Sequence, residues 1–353
     1  PIWPGSAAAD PCTIGRCSCT MRLDRLNALP AQLEQTSPTE ILQLLPNPTL
    51  ISVAGERDPP LFICTLLHGN ETTSFEVLRA LARRYRDRRP SRSLLIFAGN
   101  VEATASAARL LPGQPDFNRI WAGGDSGFVT LANEVQRIAQ ALRPFASIDI
   151  HNNTGRNPHY GCINVLRPAD LQLAAWVAPL GVYYRNPPTT QSMAFAEFCP
   201  AITIECGQNG DSTGIESALR LIDRTMHADA LPTTAPRDSE LRLYETVGRI
   251  LVDPQRSFSF GEAETELILR TDLDEMNFRD LPAGTPLGSS TCTELPLAVL
   301  DEQNRVLTSQ FFAAQNGAIT LLQAATPAML TRDHAVIRQD CLGYLMRPLP
   351  QVW

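Results

Sequence analysis

The sequence predicts an α/β fold in which helices cover both faces of a mixed, mainly parallel sheet, followed by a smaller β-rich domain. Three observations lead to this prediction. Short apolar runs alternate with helical patterns over the first two-thirds of the chain, a Pro/Thr-rich stretch follows at 231–237, and short strand-like runs punctuated by Pro, Gly and Asp come after it. The length of 353 residues also favours two domains, because single hydrophobic cores rarely grow that large.

The individual elements follow from hydrophobic periodicity. In the first part of the chain, short apolar and β-branched runs predict strands at 50–54, 61–67, 93–98, 147–150, 162–166 and 202–206. Helical patterns lie between them, the first beginning near Thr73 and the others at 128–142, 171–178 and 215–227. Thr73-Ser74-Phe75-Glu76 predicts a capping box for the first helix. After the Pro/Thr stretch, strands are predicted at 248–252, 266–269, 297–300 and 318–322.

These patterns suggest domain limits. We expect a first domain over residues 21–232 and a smaller β-rich domain over residues 238–353. Residues 1–20 are small, polar and Pro-containing, and their cysteines Cys12, Cys17 and Cys19 lack the usual Cys-x-x-Cys spacing of a zinc site. We therefore interpret residues 1–20 as a disordered leader.

Polar residues stand at the ends of three predicted strands. His68 and Glu71 follow the strand 61–67, His151 follows 147–150, and Glu205 lies near the end of 202–206. In open α/β sheets the carboxyl ends of the strands form the ligand crevice, so these side chains can converge. Two histidines and a carboxylate can bind one metal ion and leave a position open, and a buried acid is rare unless it is paired or functional. The sequence thus predicts His68, Glu71 and His151 as metal ligands, with Glu205 as a base.

Four blocks carry a resemblance to a known family. They are His-Gly-Asn-Glu at 68–71, Asp-Phe-Asn-Arg at 116–119, Asp-Ile-His-Asn-Asn-Thr at 149–154 and Ile-Glu-Cys-Gly at 204–207. In this order they resemble the succinylglutamate desuccinylase/aspartoacylase family, which belongs to the zinc carboxypeptidase clan. The resemblance covers roughly residues 49–230 through these motifs. It implies a carboxypeptidase-like catalytic domain and a zinc hydrolase.

The resemblance also implies a role for each matching residue. His68, Glu71 and His151 would bind one Zn²⁺ per chain, and Glu205 would activate the metal-bound water. Asn118 and Arg119 would hold a carboxylate of the substrate, and Arg109 would face the developing oxyanion. This chain departs from the family at Phe117, where leucine is usual, and in a longer spacer at 111–115. The resemblance also implies an arginine for the far end of the substrate, for which Arg156 and Arg185 are candidates, and a substrate-contacting tyrosine of the C-terminal domain, for which the sequence does not rank Tyr244 and Tyr344.

Composition excludes several other functions. All 30 basic residues are arginines, so the chain has neither a P-loop lysine nor a lysine for Schiff-base chemistry. A net charge of −7 offers no general attraction for nucleic acid. No stretch approaches 18 consecutive apolar residues, which argues against a membrane-spanning segment. The scattered cysteines are expected to be free thiols in a reducing cytoplasm.

Together these observations predict a zinc-dependent hydrolase that cuts an amide bond and releases a carboxylic acid from an N-acyl amino acid. Its partner would be a small-molecule substrate that bears a carboxylate, with no nucleic acid and no membrane. Two alternatives stay open: a metallocarboxypeptidase that acts on short peptides, and a catalytically silent protein that binds zinc or another ligand on the same scaffold. The acyl group, the amine, the physiological metal and the oligomeric state, a homo-oligomer included, also stay open.

Overall fold

A computed structural model describes residues 21–261 and 264–350, which form two compact units. The first unit comprises residues 21–152, 160–181 and 185–241, and the second comprises residues 153–159, 182–184, 242–261 and 264–350. The leader predicted for residues 1–20 lies outside the described residues. The predicted α/β class, with a second β-rich sheet in the C-terminal part, is confirmed, whereas the domain limits at 232 and 238 stay a prediction.

The N-terminal part of the chain alternates strands and helices, as the periodicity predicted. Two short 3-10 helices, Ala31–Glu34 and Pro38–Gln43, precede the second strand. The strands are β1 (Asp24–Leu26), β2 (Thr49–Val53), β3 (Leu61–Thr65), β4 (Leu94–Ala98), β5 (Ala146–Asn153), β6 (Tyr160–Ile163), β7 (Leu180–Tyr183) and β8 (Ala201–Gln208). The helices are α1 (Thr72–Arg84), α2 (Val101–Ala105), α3 (Gly127–Leu142), α4 (Pro168–Val177), α5 (Gln191–Ala196) and α6 (Ser212–His227). The predicted elements agree with these bounds to within a few residues.

The sheet of the first unit brings the polar strand ends together. Its strand order is β1-β2-β4-β3-β5-β8-β6. The pairs β1–β2, β3–β4 and β3–β5 are parallel, whereas β2–β4 and β6–β8 are antiparallel. Strands β3 and β5 pair from Leu61 opposite Ala146 to Cys64 opposite Asp149. Strand β5 continues past the predicted end at residue 150 and includes His151, whereas His68 follows β3. Because β3 and β5 run the same way in this register, both histidines lie at one edge of the sheet.

An aromatic core anchors the loop that carries the Asp-Phe-Asn-Arg block. The Phe62 and Phe195 rings lie 4.3 Å apart, and Trp121 packs edge-on against Phe195 at 5.9 Å. Phe117 joins this core with 1% of its surface exposed and contacts the ring of Phe128 at 5.6 Å. A large apolar side chain at this position buries surface worth about 2 kcal/mol, and so fixes the polar residues on either side of it.

The predicted capping box at the start of α1 is wrong. The helix begins at Thr72, one residue earlier than predicted, and Glu71 is its N-cap residue without a capping bond from its own side chain. Glu76, the predicted partner in the box, instead accepts hydrogen bonds from Arg79. The physical reason lies in the Glu71 carboxylate, whose two oxygens face histidines and not the helix amides.

The second unit is built almost wholly from strands. They are β9 (Arg242–Val252), β10 (Phe258–Phe260), β11 (Leu267–Leu269), β12 (Pro286–Ser290), β13 (Leu297–Leu300), β14 (Phe312–Gln315), β15 (Ala318–Leu321), β16 (Thr326–Ala328) and β17 (Gly343–Pro348). A 3-10 helix, Leu273–Met276, and two short helices, α7 (Thr308–Phe311) and α8 (His334–Gln339), complete this unit. Strand β9 pairs with β13 and β17, β17 pairs with β16, and a five-stranded sheet has the order β10-β11-β12-β15-β14.

The sequence argued against a membrane-spanning segment, and the helices can be compared with that expectation. Among the described residues, none of the helices combines the length and the apolar character that crossing a bilayer requires.

Candidate metal centre

The loop His68-Gly69-Asn70-Glu71 connects β3 to α1 and fits only a glycine at its second position. A Cβ atom on Gly69 would lie 2.1 Å from the carbonyl carbon of Ala103 in α2, so any side chain there would force the backbones apart. The amide of Gly69 donates to the carbonyl of Arg109 at 3.2 Å. Close backbone packing therefore holds the loop that carries two of the predicted ligands.

The structure brings the three predicted ligands together. Nδ1 of His68 lies 2.6 Å from Oε1 of Glu71, and Nδ1 of His151 lies 2.9 Å from Oε2 of the same carboxylate. One ligand atom from each residue lies within 4.8 Å of the other two, and all three side chains are buried. Two imidazoles and a carboxylate at this spacing suit one ion with bonds of about 2 Å.

Each histidine is oriented by a second carboxylate. Nε2 of His68 donates to Oδ1 of Asp116 at 2.9 Å, and Nε2 of His151 donates to Oδ2 of Asp149 at 2.9 Å. A carboxylate on one ring nitrogen fixes the tautomer in which the other nitrogen offers its lone pair. In that tautomer both Nδ1 atoms offer a lone pair toward the cluster, and two such imidazole nitrogens with a carboxylate fit a zinc ion.

Electrostatics favours an ionised carboxylate at the centre. Burial alone would raise the pKa of Glu71, but the charges and hydrogen bonds of His68 and His151 outweigh burial and hold the pKa well below its usual value. Burial would lower the pKa of His151, but Asp149 and Glu71 raise it well above its usual value. Without a metal ion, a proton on His151 thus supplies positive charge beside the two carboxylates. A metal ion that binds His151 must displace this proton, so proton and metal compete for the cluster.

Glu205 lies on β8, opposite Tyr160 of β6, and is buried. Burial raises the pKa of Glu205 to about 7, with the negative charges of Glu71 and Asp149 adding to the rise and the charges of the two histidines opposing it. Its Oε2 atom is buried and has no hydrogen-bond partner within the described residues. A carboxyl group with a pKa near neutrality and an uncommitted oxygen is suited to take up and release a proton.

Arg109 also lies at the cluster, despite the longer spacer between it and Asp116. Its guanidinium donates to Oδ2 of Asp116 at 3.0 Å and lies 3.4 Å from Oε1 of Glu71. Burial would raise the pKa of Asp116, but the charges of His68 and Arg109 hold it well below its usual value. One carboxylate therefore orients both a predicted metal ligand and the predicted oxyanion arginine.

The structure places Asn118 and Arg119 beside the same group of residues. Asn118 is buried, its Nδ2 atom lies 3.4 Å from Nε2 of His151, and its Oδ1 atom accepts a hydrogen bond from the amide of Gln191 at 2.9 Å. Arg119 is partly exposed and donates to the carbonyl of Asn118 at 3.0 Å. Arg119 is thus partly accessible to solvent, whereas Asn118 is buried and held by its hydrogen bond to Gln191.

A family comparison decides what kind of domain this is. Residues 57–227 match the family described as the succinylglutamate desuccinylase/aspartoacylase catalytic domain, and this stretch contains every predicted site residue. Residues 57–227 are a catalytic domain of the succinylglutamate desuccinylase/aspartoacylase family. The resemblance to this family that the four sequence blocks indicated is confirmed.

Solved structures share the fold at low identity. The succinylglutamate desuccinylase from Chromobacterium violaceum is 20% identical with a TM-score of 0.54, and the match covers 84% of this chain and 86% of that one. A succinylglutamate desuccinylase/aspartoacylase from Rhodobacter sphaeroides is 17% identical with a TM-score of 0.56, covering 84% and 88%. Murine aminoacylase 3 is 15% identical with a TM-score of 0.55, covering 83% and 97%. No curated protein matches the chain by sequence.

Three residues in this family domain were given no role by the sequence analysis. Asp116 and Asp149 hold the two histidines, and the backbone amide of Asn152 donates to Oε2 of Glu71 at 3.0 Å. The signal for Asp149 was its spacing of two from His151 on a strand, because such residues share one face of a sheet. Asp116 and Asn152 gave no comparable signal, since their contacts depend on how segments distant in sequence pack together.

Two of the unranked candidates for substrate contact, Arg156 and Tyr244, have partners within the second unit. Arg156 donates to Glu275 at 2.5 Å, and Tyr244 is buried with its ring 6.0 Å from that of Phe278. Tyr244 therefore packs in the interior of its unit.

Proposed function

We propose that this chain is a zinc-dependent hydrolase that cleaves an amide bond, releasing a carboxylic acid from an N-acyl amino acid. The observation that carries the proposal is the buried cluster of His68, Glu71 and His151, in which each histidine is held by a separate carboxylate, within a desuccinylase/aspartoacylase catalytic domain. His68 and His151 would hold the ion through Nδ1, and Glu71 would hold it through its carboxylate. When bound, zinc polarises a carbonyl group and makes hydroxide available near neutral pH.

Glu205 supplies the proton transfers in this proposal. Its pKa of about 7, raised by burial, lets the carboxylate accept a proton from the attacking water at neutral pH. The resulting carboxylic acid then gives that proton to the nitrogen that leaves as an amine. The unpartnered Oε2 atom supports this role, because an oxygen committed to a structural ion pair would be a poorer base.

Arg109 stabilises the charge that develops on the carbonyl oxygen. Asp116 holds the guanidinium in place before the reaction, so the guanidinium does not need to reorganise when the oxyanion forms. Preorganised donors of this kind usually supply a large part of the rate acceleration, and a charged donor in a buried site supplies more than a neutral one.

Asn118 and Arg119 recognise the substrate. A planar guanidinium matches a carboxylate through two parallel hydrogen bonds, and Arg119 is exposed enough to reach a solute. The substrate would therefore be a small molecule that bears a carboxylate. A cytoplasmic location stays part of the proposal; it agrees with the free thiols of Cys64, Cys162, Cys199, Cys206, Cys292 and Cys341.

Turnover by metal-quantified protein tests the proposal. Zinc-loaded protein is incubated with a panel of N-acyl amino acids and short peptides, with Glu205→Gln in parallel and Glu216→Gln, an exposed glutamate of α6, as the matched control. We expect zinc-dependent amide cleavage that disappears in Glu205→Gln while zinc stays bound, and that persists in Glu216→Gln. Cleavage of peptides alone would favour the carboxypeptidase, and stoichiometric zinc without turnover would favour the silent binder.

A further inference from the structure

The start of α1 poses a hydrogen-bonding problem. The first amides of a helix have no partner within the helix, and the side chain of the N-cap residue usually accepts from one of them. Glu71 is the N-cap residue of α1, yet both of its carboxylate oxygens face the histidines and make no capping bond. A metal ligand at an N-cap position therefore requires other acceptors for the amides that follow it.

Two asparagines from other segments, Asn152 on β5 and Asn209 in the turn after β8, supply these acceptors. The amide of Thr72 donates to Oδ1 of Asn209 at 3.0 Å, and the amide of Thr73 donates to Oδ1 of Asn152 at 3.1 Å. Asn152 follows His151 directly, and Asn209 follows the strand that carries Glu205. The helix is thus capped by one side chain on the strand that carries His151 and by one in the turn after the strand that carries Glu205.

Asn209 makes a second bond on the other side of Glu71. Its Nδ2 atom donates to the carbonyl of Asn70 at 2.6 Å, while its Oδ1 atom accepts from the amide of Thr72 at 3.0 Å. One carboxamide therefore binds the backbone immediately before and immediately after Glu71. Gly210, which follows Asn209 in the turn after β8, has a φ of 85°, a backbone conformation that favours glycine.

We propose that Asn209 is a positioning residue for Glu71. By capping α1 in place of the N-cap side chain, Asn209 leaves the Glu71 carboxylate free to bind the metal and fixes the backbone from which that carboxylate projects. It also ties the ligand loop to the strand that carries Glu205. The inference rests on the proposed function, because it concerns a ligand of the proposed zinc ion.

The chemistry of this position favours asparagine over aspartate. A carboxylate could still accept from the amide of Thr72, but it has no hydrogen to donate to the carbonyl of Asn70. Asn209→Asp therefore keeps one of the two bonds, and Asn209→Ala removes both. The pair of variants separates the contribution of the donor from that of the acceptor.

Zinc affinity, measured by competition with a chromophoric chelator, tests the inference without any substrate. The matched control is Ser126→Ala, because the Ser126 hydroxyl accepts from the amide of Val129 at the exposed start of α3. Removing partners that orient a metal ligand commonly weakens binding by about 10- to 100-fold. We expect Asn209→Ala to weaken zinc binding by about 10-fold, Asn209→Asp by less, and Ser126→Ala not at all.

Thermal unfolding of the metal-free proteins completes the test. Each alanine variant loses one side-chain acceptor at the start of a helix, and Asn209→Ala also loses the bond to the carbonyl of Asn70. We therefore expect small decreases in melting temperature in both variants, whereas only Asn209→Ala loses zinc affinity. Wild-type zinc affinity in Asn209→Ala, or an equal loss in Ser126→Ala, would overturn the positioning role while leaving the proposed function intact. A wild-type chain that binds no zinc at the cluster would overturn both.

Discussion

Asp149 precedes His151 by two residues on β5, and its Oδ2 atom accepts a hydrogen bond from Nε2 of His151 at 2.9 Å. Residues two apart on a strand point to the same face of the sheet, so the sheet itself aligns the acid with the imidazole. Asp149 has no exposed surface, which strengthens its electrostatic effect on the ring. His68 has an equivalent carboxylate partner, Asp116, but Asp116 lies in a loop distant in sequence, so tertiary packing and not strand geometry brings the two together.

Asp149→Asn should weaken zinc binding. The amide keeps the shape of the side chain but removes the negative charge that makes His151 a better ligand, so we expect a loss of about 10- to 100-fold in zinc affinity. Chelator competition measures it, with Asp223→Asn as control, because Asp223 pairs with Arg84 at a part-exposed position away from the site. Equal zinc affinity in Asp149→Asn and wild type would contradict the claim that Asp149 makes His151 a better zinc ligand.

Arg109→Met should separate catalysis from metal binding. The substitution keeps much of the volume but removes the guanidinium that would face the oxyanion, so we expect kcat to fall by about 100- to 1000-fold. Zinc content, measured on the same samples, should stay close to one ion per chain. Arg25→Met is the control, because Arg25 pairs with Glu134 at the surface. If Arg109→Met instead loses its zinc, Arg109 serves the structure of the cluster and not the reaction.

Arg119→Met should change substrate recognition more than the chemical step. We expect KM to rise by about 10- to 100-fold for a substrate with a free carboxylate, while kcat changes little, because a charge-assisted bidentate contact is worth about 1.5 to 3 kcal/mol. The same substrate with its carboxylate converted to a carboxamide serves as the control. A similar loss for the carboxamide would mean that Arg119 does not contact the carboxylate.

Glu205 should make the stability of the metal-free protein depend on pH. Burial raises the pKa of Glu205 from 4.5 to about 7, so folding favours the protonated form. The contribution of this group to the free energy of unfolding is fully present below pH 4.5 and is lost as the pH rises through about 7. A shift of this size corresponds to roughly 3 kcal/mol.

Glu205→Gln cannot titrate at this position and provides the reference. Urea unfolding of both metal-free proteins between about pH 4 and pH 8 should show wild type losing roughly 3 kcal/mol relative to Glu205→Gln as the pH rises. Groups that titrate in both proteins cancel in this difference. A difference that stays flat over the range would contradict a raised pKa for Glu205.

Much of the fold and of the candidate site could be predicted because the signals are local. Apolar runs gave the strands at 61–67 and 147–150, and the polar residues that end them gave His68 and His151. The convergence of their side chains also followed from sequence, because neighbouring parallel strands present their carboxyl ends at one edge.

The rest depends on contacts between distant segments. Thr73-Ser74-Phe75-Glu76 satisfies the local pattern of a capping box, but the helix begins at Thr72 because the Glu71 side chain is engaged by the histidines and asparagines cap from other segments. Asn209 is an exposed polar residue in a turn, and nothing near it in sequence distinguishes it from any other turn asparagine. Tertiary packing overrides local propensity at both places.

Zinc-edge anomalous diffraction from crystals of the zinc-loaded protein tests the central claim most directly. The account predicts one zinc ion per chain, about 2 Å from Nδ1 of His68, Nδ1 of His151 and the carboxylate of Glu71. Zinc bound only at other residues, or no zinc peak at this cluster in protein loaded with excess zinc, would contradict the proposed metal centre and the hydrolase built on it.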